Sequence, residues 1–250
     1  MNNSDAFIDA LPGFAEGIFV TLQLTLGGAV FAIVIAFALG LGTRSRAALV
    51  RVLSRVIIEF FRGTSLLVQL FWLFYVLPLF GVQLDSLFCG ILALALNFGA
   101  YGAEVVRGGI AAVPPGQFEA SLALNFTPAQ RMRLIIFPQA WAQMIPSFTN
   151  LLIQLLKGTA LATYILLHDL NFFINEMRRS TGDTLFSYGI GLVLYFLIAY
   201  VLTLIMKAIE IRAKHTIGTG PALREVLKLP PWLSRTGRTH VSTTKTEALV

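Results

Sequence analysis

GIFVTLQLTLGGAVFAIVIAFALGLGT, residues 17–43, contains no Asp, Glu, Lys or Arg. A helix rising 1.5 Å per residue needs roughly 20 apolar residues to cross a bilayer, and this stretch is long enough. Four further charge-free windows follow, at residues 63–84, 86–103, 134–156 and 184–206. The 250-residue chain is 56% hydrophobic and only 13% charged, against about a quarter charged in a soluble domain. A large soluble all-α core would need polar faces recurring at the helical period, and the windows show none. The residues therefore predict an all-α membrane protein of about five transmembrane helices.

The charges that remain fall between the windows. Arg44, Arg46, Arg51 and Arg55 follow the first, Arg131 and Arg133 precede or border the fourth, and Lys207, Arg212 and Lys214 follow the fifth. The connection at 168–183 sets Arg178 and Arg179 against Asp169, Glu176 and Asp183, and the first sixteen residues hold Asp5, Asp9 and Glu16 with no basic residue. Basic loops stay in the cytoplasm. The N-terminus is then outside and the C-terminus cytoplasmic, as an odd number of crossings requires. The acidic start is the opposite of a cleavable signal's basic one. The net charge of +6 is explained by orientation rather than by nucleic acid, because the basic residues form no aromatic-interleaved face. Cys89, the only cysteine, excludes a disulfide framework or a cysteine-rich metal site.

The expected crossings are about 16–43, Val56 to Leu77-Pro78, Leu87 to Ala112, a fourth beginning near Pro146, and 185–209. Gly27, Gly28, Gly40 and Gly42 suit close helix contact in the first. Val113-Pro114-Pro115-Gly116 stops the third, since proline cannot continue a helix. Residues 1–215 form the membrane domain. The tail from 216 to 250 is polar, rich in Thr, Lys and Arg, and is expected to be cytoplasmic and flexible.

Between the third and fourth crossings lies GQFEASLALNFTPAQRMRLIIFP, Gly116 to Pro138. Gln117–Leu124 reads as a short helix with Phe118 and Leu122 on one face by their i, i+4 spacing. Asn125 is one of the few non-glycine residues that ends helices in the left-handed conformation. Thr127-Pro128-Ala129-Gln130 is an N-cap, a first-turn proline and a capping-box partner. A second helix is expected from Pro128 to about Phe137, ending at Pro138. The residues alone leave two roles open: a handle offering an aromatic and aliphatic knob to a partner's groove, or a hairpin that merely links two crossings.

Gln117-Phe118-Glu119-Ala120-Ser121, Asn125, Ile135 and Phe137-Pro138, at their separations, resemble the EAA loop of ABC-importer permease subunits, here about residues 113–146. Ser121, Asn125 and Phe137 depart from its alanine, glycine and leucine. EFFRGTSLLVQLFWLFYVLP (Glu59–Pro78), AYGAEVVRGGIAAVPPGQFEA (Ala100–Ala120) and LLKGTALATYILLHDL (Leu155–Leu170) are similar to polar amino-acid permeases of the histidine/glutamine type. Family versions commonly have proline at Ser65 and aspartate at Gly158. The similarity runs over about 12–215, with a fainter resemblance to importers of ectoine-like compatible solutes.

This resemblance implies a type I (MetI-like) importer topology with a cytoplasmic coupling helix, in a bacterial inner membrane. It implies three kinds of partner besides lipid: an ATPase subunit pair carrying ATP and Mg, a second permease of the same or homologous sequence, and an extracytoplasmic solute-binding protein. The subunit itself would bind no cofactor or metal and carry no catalytic residue; the chain has no G-x-x-x-x-G-K-[ST]. Gln117, Phe118, Glu119, Ala120, Ser121, Leu122, Asn125, Phe126, Thr127 and Pro128 become the ATPase-coupling residues. The cargo would be a polar amino acid or related zwitterion.

Pathway residues are read two ways. Glu104 and Arg107 are either a helix-surface pair or groups lining the route, since intramembrane ionisable residues usually face an interior. Lys157, Gly158, Thr159 and Thr163 either form a packing kink or supply backbone space and hydroxyls to a zwitterion. Gln69 and Asn97 are expected to hydrogen-bond between helices. An ion-gradient-driven secondary transporter would favour repeated halves and buried carboxylates, whereas the sequence shows no visible repeat and few acids in its expected crossings. A membrane scaffold or channel subunit is the other alternative.

Overall fold

The computed structural model describes residues 3–216. The sequence-predicted tail from 216 on, apart from that residue, lies outside them. Its frame is a pair of long helices, α1 (Asn3–Gly42) and α4 (Ser86–Ala111), packed along their length. Small residues make that approach possible. A Cβ on Gly40 would lie 2.8 Å from Val106 Cβ and 2.9 Å from the Ala103 carbonyl oxygen, and one on Gly102 would lie 2.7 Å from Ala36 Cβ. Buried positions are rich in Ala32, Ala36, Ala93, Ala95, Ala100 and Ala103, whereas Phe19, Val30, Val34, Leu192 and Phe196 are more than half exposed. A soluble protein does the reverse. Small residues inside and large apolar ones outside are what a surrounding of lipid allows, where helices gain from close packing rather than from hiding leucine.

Phe7–Gly42, Ser86–Ala111 and Thr184–His215 are each long and apolar enough to cross a membrane unbroken. Two further pairs of helices reach that length and hydropathy only together, each bent at a short break. α2 (Ala48–Gly63) meets α3 (Leu66–Phe71), which continues through a π turn and a 3-10 turn to Phe80, at 102°. The expected second crossing, from near Val56 to about Leu77-Pro78, is not one continuous helix: it breaks at Thr64-Ser65, both in extended backbone. After α4 come α5 (Pro115–Ala123) and α6 (Pro128–Arg131). A π turn at Met132–Ile136 leads into α7 (Phe137–Gly158), and a 3-10 segment, Thr159–Ile165, extends it. α8 (Leu170–Thr181) leaves that rod at 61°, and α9 (Thr184–Thr216) packs on α7 and α8.

Two prolines do not act as expected. Pro138 sits in the first turn of α7 and does not end the preceding helix; the widened turn at Met132–Ile136 absorbs the missing N–H and the ring just before it. Pro146 lies inside α7 rather than at its start.

The bundle has two distinct ends. At one, Ile110 and Val113 of α4 join Ile136, Ala140 and Met144, with Phe118 of α5 packed against them. At the other, Phe14 of α1 meets Leu170, Ile174 and Met177 of α8.

Candidate functional site

The hairpin is built from its caps. Asn125 has φ 55°, the left-handed conformation. Its N–H donates to Leu122 O at 2.9 Å and that of Phe126 to Ser121 O at 3.1 Å, the two bonds of a Schellman ending. Two residues on, Thr127 Oγ1 accepts from Gln130 N at 3.3 Å while Gln130 Oε1 accepts from Thr127 N at 3.0 Å. The helix, sharp turn and second helix expected from the residues are all present. Gln139 Nε2 donates to Gln117 Oε1 at 3.2 Å and ties α5 to α7.

α5 lies on the bundle by one edge only. Ser121 is fully buried, donating to Phe118 O at 2.6 Å, and Phe118 packs on the Val113–Ile136 cluster. Leu122 is 60% exposed and Leu124 67%. The expected shared knob of Phe118 and Leu122 is thus divided. A four-residue step overshoots a full helical turn by about 40°, enough to turn Leu122 outward while Phe118 faces in. Gln117, Glu119, Ala120, Asn125, Thr127 and Pro128 are exposed around Leu122, and Phe126 is half-buried. An apolar centre ringed by polar groups is what a docking helix presents.

The tentative pathway residues fall into two separate groups. Glu104 and Arg107 form an ion pair of 2.6 Å at the hairpin end of α4. Arg62 of α2 lies beside them, its guanidinium carbon 5.4 Å from the Tyr101 ring centroid, and bonds Glu59 at 3.5 Å. Lys157, Gly158, Thr159 and Thr163 lie further along, at and beyond the end of α7. Lys157 is exposed. A Cβ on Gly158 would meet Leu66, Leu94 and Phe98 at 3.1–3.4 Å, and the buried Thr159 hydroxyl donates to Leu156 O at 2.7 Å. Both serve packing here. Thr163 instead donates to Asp169, whose buried carboxylate also accepts from Asn171 N at 3.3 Å and Phe172 N at 3.2 Å and so caps α8.

The α2–α3 elbow explains the polar residues inside apolar runs. A helix end leaves its last carbonyls without partners, and in lipid each orphan costs several kcal/mol or so. Thr64 Oγ1 donates to Phe60 O at 2.9 Å. Gln69 Nε2 at 3.0 Å and Asn97 Nδ2 at 3.1 Å both donate to Phe61 O, and the Tyr101 hydroxyl donates to Arg62 O at 3.3 Å. The expected role of Gln69 and Asn97 in joining helices is found. A cavity of about 300 Å³ lies under the elbow, walled by Phe60, Phe61, Val68 and Trp72.

With this geometry in view, the comparisons with known proteins decide the family. The family described as "Binding-protein-dependent transport system inner membrane component" matches residues 28–215. The chain belongs to it. The permease is 47% identical over 208 residues to the probable amino-acid ABC transporter permease protein y4tF of Sinorhizobium fredii, covering 81% of this chain and 87% of that one. It is 35% identical to the L-cystine transport system permease protein TcyB of Bacillus subtilis, covering 80% and 86%. A crystal structure of an amino acid ABC transporter with histidines superimposes with a TM-score of 0.77 at 32% identity, over 82% of this chain and 96% of that one. An inward-facing MetNI methionine transporter, at 22% identity and TM-score 0.69 over 80% and 96%, shares the fold.

The permease is therefore a multi-pass membrane component with the type I importer fold, and not itself the ATPase. Two polar groupings were not foreseen from the sequence: Thr64 and Tyr101, which serve carbonyls at the elbow, and the Thr163–Asp169–Asn171 network. Asp169 carried the signal, as an N-cap residue ahead of an amphipathic stretch.

Proposed function

We propose that this permease is the membrane subunit of an ATP-driven importer that takes up a polar amino acid or a related small zwitterion. Its N-terminus is extracytoplasmic, and α5 and α6 are the cytoplasmic handle. One of a pair of ATPase subunits carrying ATP and Mg grips that handle through Leu122, Leu124 and Glu119, with Gln117, Ala120 and Thr127-Pro128 around them. A second permease, identical or homologous, completes the pathway, and a binding protein delivers the solute from outside. The observation that carries this reading is the double-capped hairpin with Ser121 and Phe118 anchored and Leu122 presented outward. Rigid seating transmits motion of the ATPases to α4 and α7 through the Ile110–Ile136 cluster. The amino-acid assignment is supported by the relatives, 47% and 35% identical.

The test is reconstitution in vesicles with the candidate ATPase and binding protein, measuring uptake of labelled amino acids and ectoine. Uptake is expected only with internal ATP and external binding protein. Uptake driven by an ion gradient without ATP would make the protein a secondary transporter and end this reading.

A further inference from the structure

Glu-x-x-Arg occurs three times on the described helices: Glu59–Arg62, Glu104–Arg107 and Glu176–Arg179. The first two close as ion pairs, at 3.5 and 2.6 Å. The third stays open, although side chains three apart on a helix are neighbours with Cβ atoms about 5–6 Å apart. Both Glu176 and Arg179 are exposed, and both line a cavity of about 340 Å³ that also touches Thr163, Tyr164, Phe172 and Asn175. Such a volume falls in the range of small-molecule sites, roughly 300–1,000 Å³.

Asn175, Thr163 and Phe172 in the cavity wall are already held by partners. The Tyr188 hydroxyl donates to Asn175 Oδ1 at 2.8 Å, and Asn175 Nδ2 donates to Asn171 O at 2.8 Å. Asn171 Nδ2 reaches Thr163 Oγ1 at 3.1 Å and Ala160 O at 3.2 Å, and Thr163 donates to Asp169. Phe172 is held against the His168 ring, centroids 4.3 Å apart. A network of this kind holds its members in place and leaves the two opposite charges free. Arg178, the neighbouring base, is half-buried, and either arginine suits the last turn of α8 through the helix dipole. Only Arg179 stands over the cavity with an acid one turn before it.

We infer that this cavity on α8 is a reception site for a small zwitterion, whose carboxylate pairs with Arg179 and whose cationic group pairs with Glu176. Charge-assisted bonds are the strong ones, and arginine takes a carboxylate in two parallel bonds. The site lies at the bundle end opposite the hairpin. Its floor is Thr163, so a bound solute rests against the 3-10 segment that continues α7. This inference rests on the importer reading above and adds where the solute first meets the permease.

The test uses the full complex in nanodiscs, with Tyr164→Cys as a reporter at the cavity wall and Phe172→Cys as a second. Cys89 is buried and remains silent. The rate of labelling by a membrane-impermeant maleimide is measured with each standard L-amino acid and with ectoine. At least one zwitterion is expected to protect, while its amide and its N-acetyl form do not. Adding Arg179→Gln or Glu176→Gln should raise the protecting concentration at least about tenfold, the fold-change at the lower end of what a bond to a charged group is worth. Absence of protection at both reporters overturns the inference, as does protection by the solute-free binding protein alone, which would make the face a docking surface. ATP-driven uptake by the unsubstituted complex is measured in parallel. Uptake without protection removes the reception site alone, whereas loss of ATP dependence removes the importer reading.

Discussion

At the residue scale, Asn125 decides the hairpin. An L-residue other than Asn or Gly pays about 1–2 kcal/mol to occupy the left-handed region. At φ 55°, Asn125→Gly is expected to leave stability unchanged, and Asn125→Ala to cost about 1 kcal/mol. Thermal unfolding of the purified permease in detergent measures this. Equal midpoints for the alanine and glycine variants would show that the turn does not depend on that conformation. Glu119 is a different case, because it is exposed and makes no contact that holds the hairpin itself. Glu119→Lys should therefore leave membrane insertion and melting unchanged while lowering the amount of ATPase that co-purifies. Undiminished co-purification would remove Glu119 from the contact. The turn could be foreseen because Asn125, Thr127 and Gln130 act on backbone groups within five residues of themselves. The outward turn of Leu122 could not, because it depends on Ser121 and Phe118 finding cover on α4 and α7.

At the element scale, the elbow between α2 and α3 carries the main departure from the expected crossings. Charge-free windows register where charge is absent, and the run from Gly63 to Leu84 conceals a break that costs no charge. Gly63 is a weak stop signal, and Ser65 stands where family versions commonly have proline. The geometry accepts that proline. Thr64 has φ −105°, ψ 150°, the conformation favoured ahead of proline, and Ser65 has φ −69°. Ser65→Pro is thus expected to stabilise the permease by about 0.4–1 kcal/mol through the unfolded chain, seen as a higher melting midpoint. A lower midpoint would mean that the Ser65 N–H has a partner in the folded protein. Gln69→Leu should act in the other direction, removing the donor that reaches both Phe61 O and Thr64 Oγ1 at 3.0 and 2.7 Å. Its cost is about 0.6–1.7 kcal/mol on the scale of hydrogen bonds between membrane helices, because Asn97 still serves Phe61 O.

At the scale of the whole molecule, the bundle holds two polar constructions apart, one at each end of α4 and α7. Val113 and Phe118 tie the hairpin to one end. Near the other, a Cβ on Gly90 would meet Leu167 and Ile165, in the segment that leads to α8. The proposed orientation puts the two ends on opposite sides: Arg131 and Arg133 lie at the end of the hairpin, while the segment of α8 and its cap balances Arg178 and Arg179 with Asp169 and Glu176. Single cysteines test the assignment. Leu122→Cys and Arg179→Cys each place a thiol on an exposed position, whereas Cys89 is buried. In right-side-out vesicles an impermeant maleimide should label Arg179→Cys and spare Leu122→Cys, and in inside-out vesicles the pattern should reverse. Labelling of both positions from one side would mean that the rod from Pro128 to Ile165 does not cross the membrane. Labelling of Leu122→Cys only from outside would invert the permease, and no ATPase in the cytoplasm could then reach the handle.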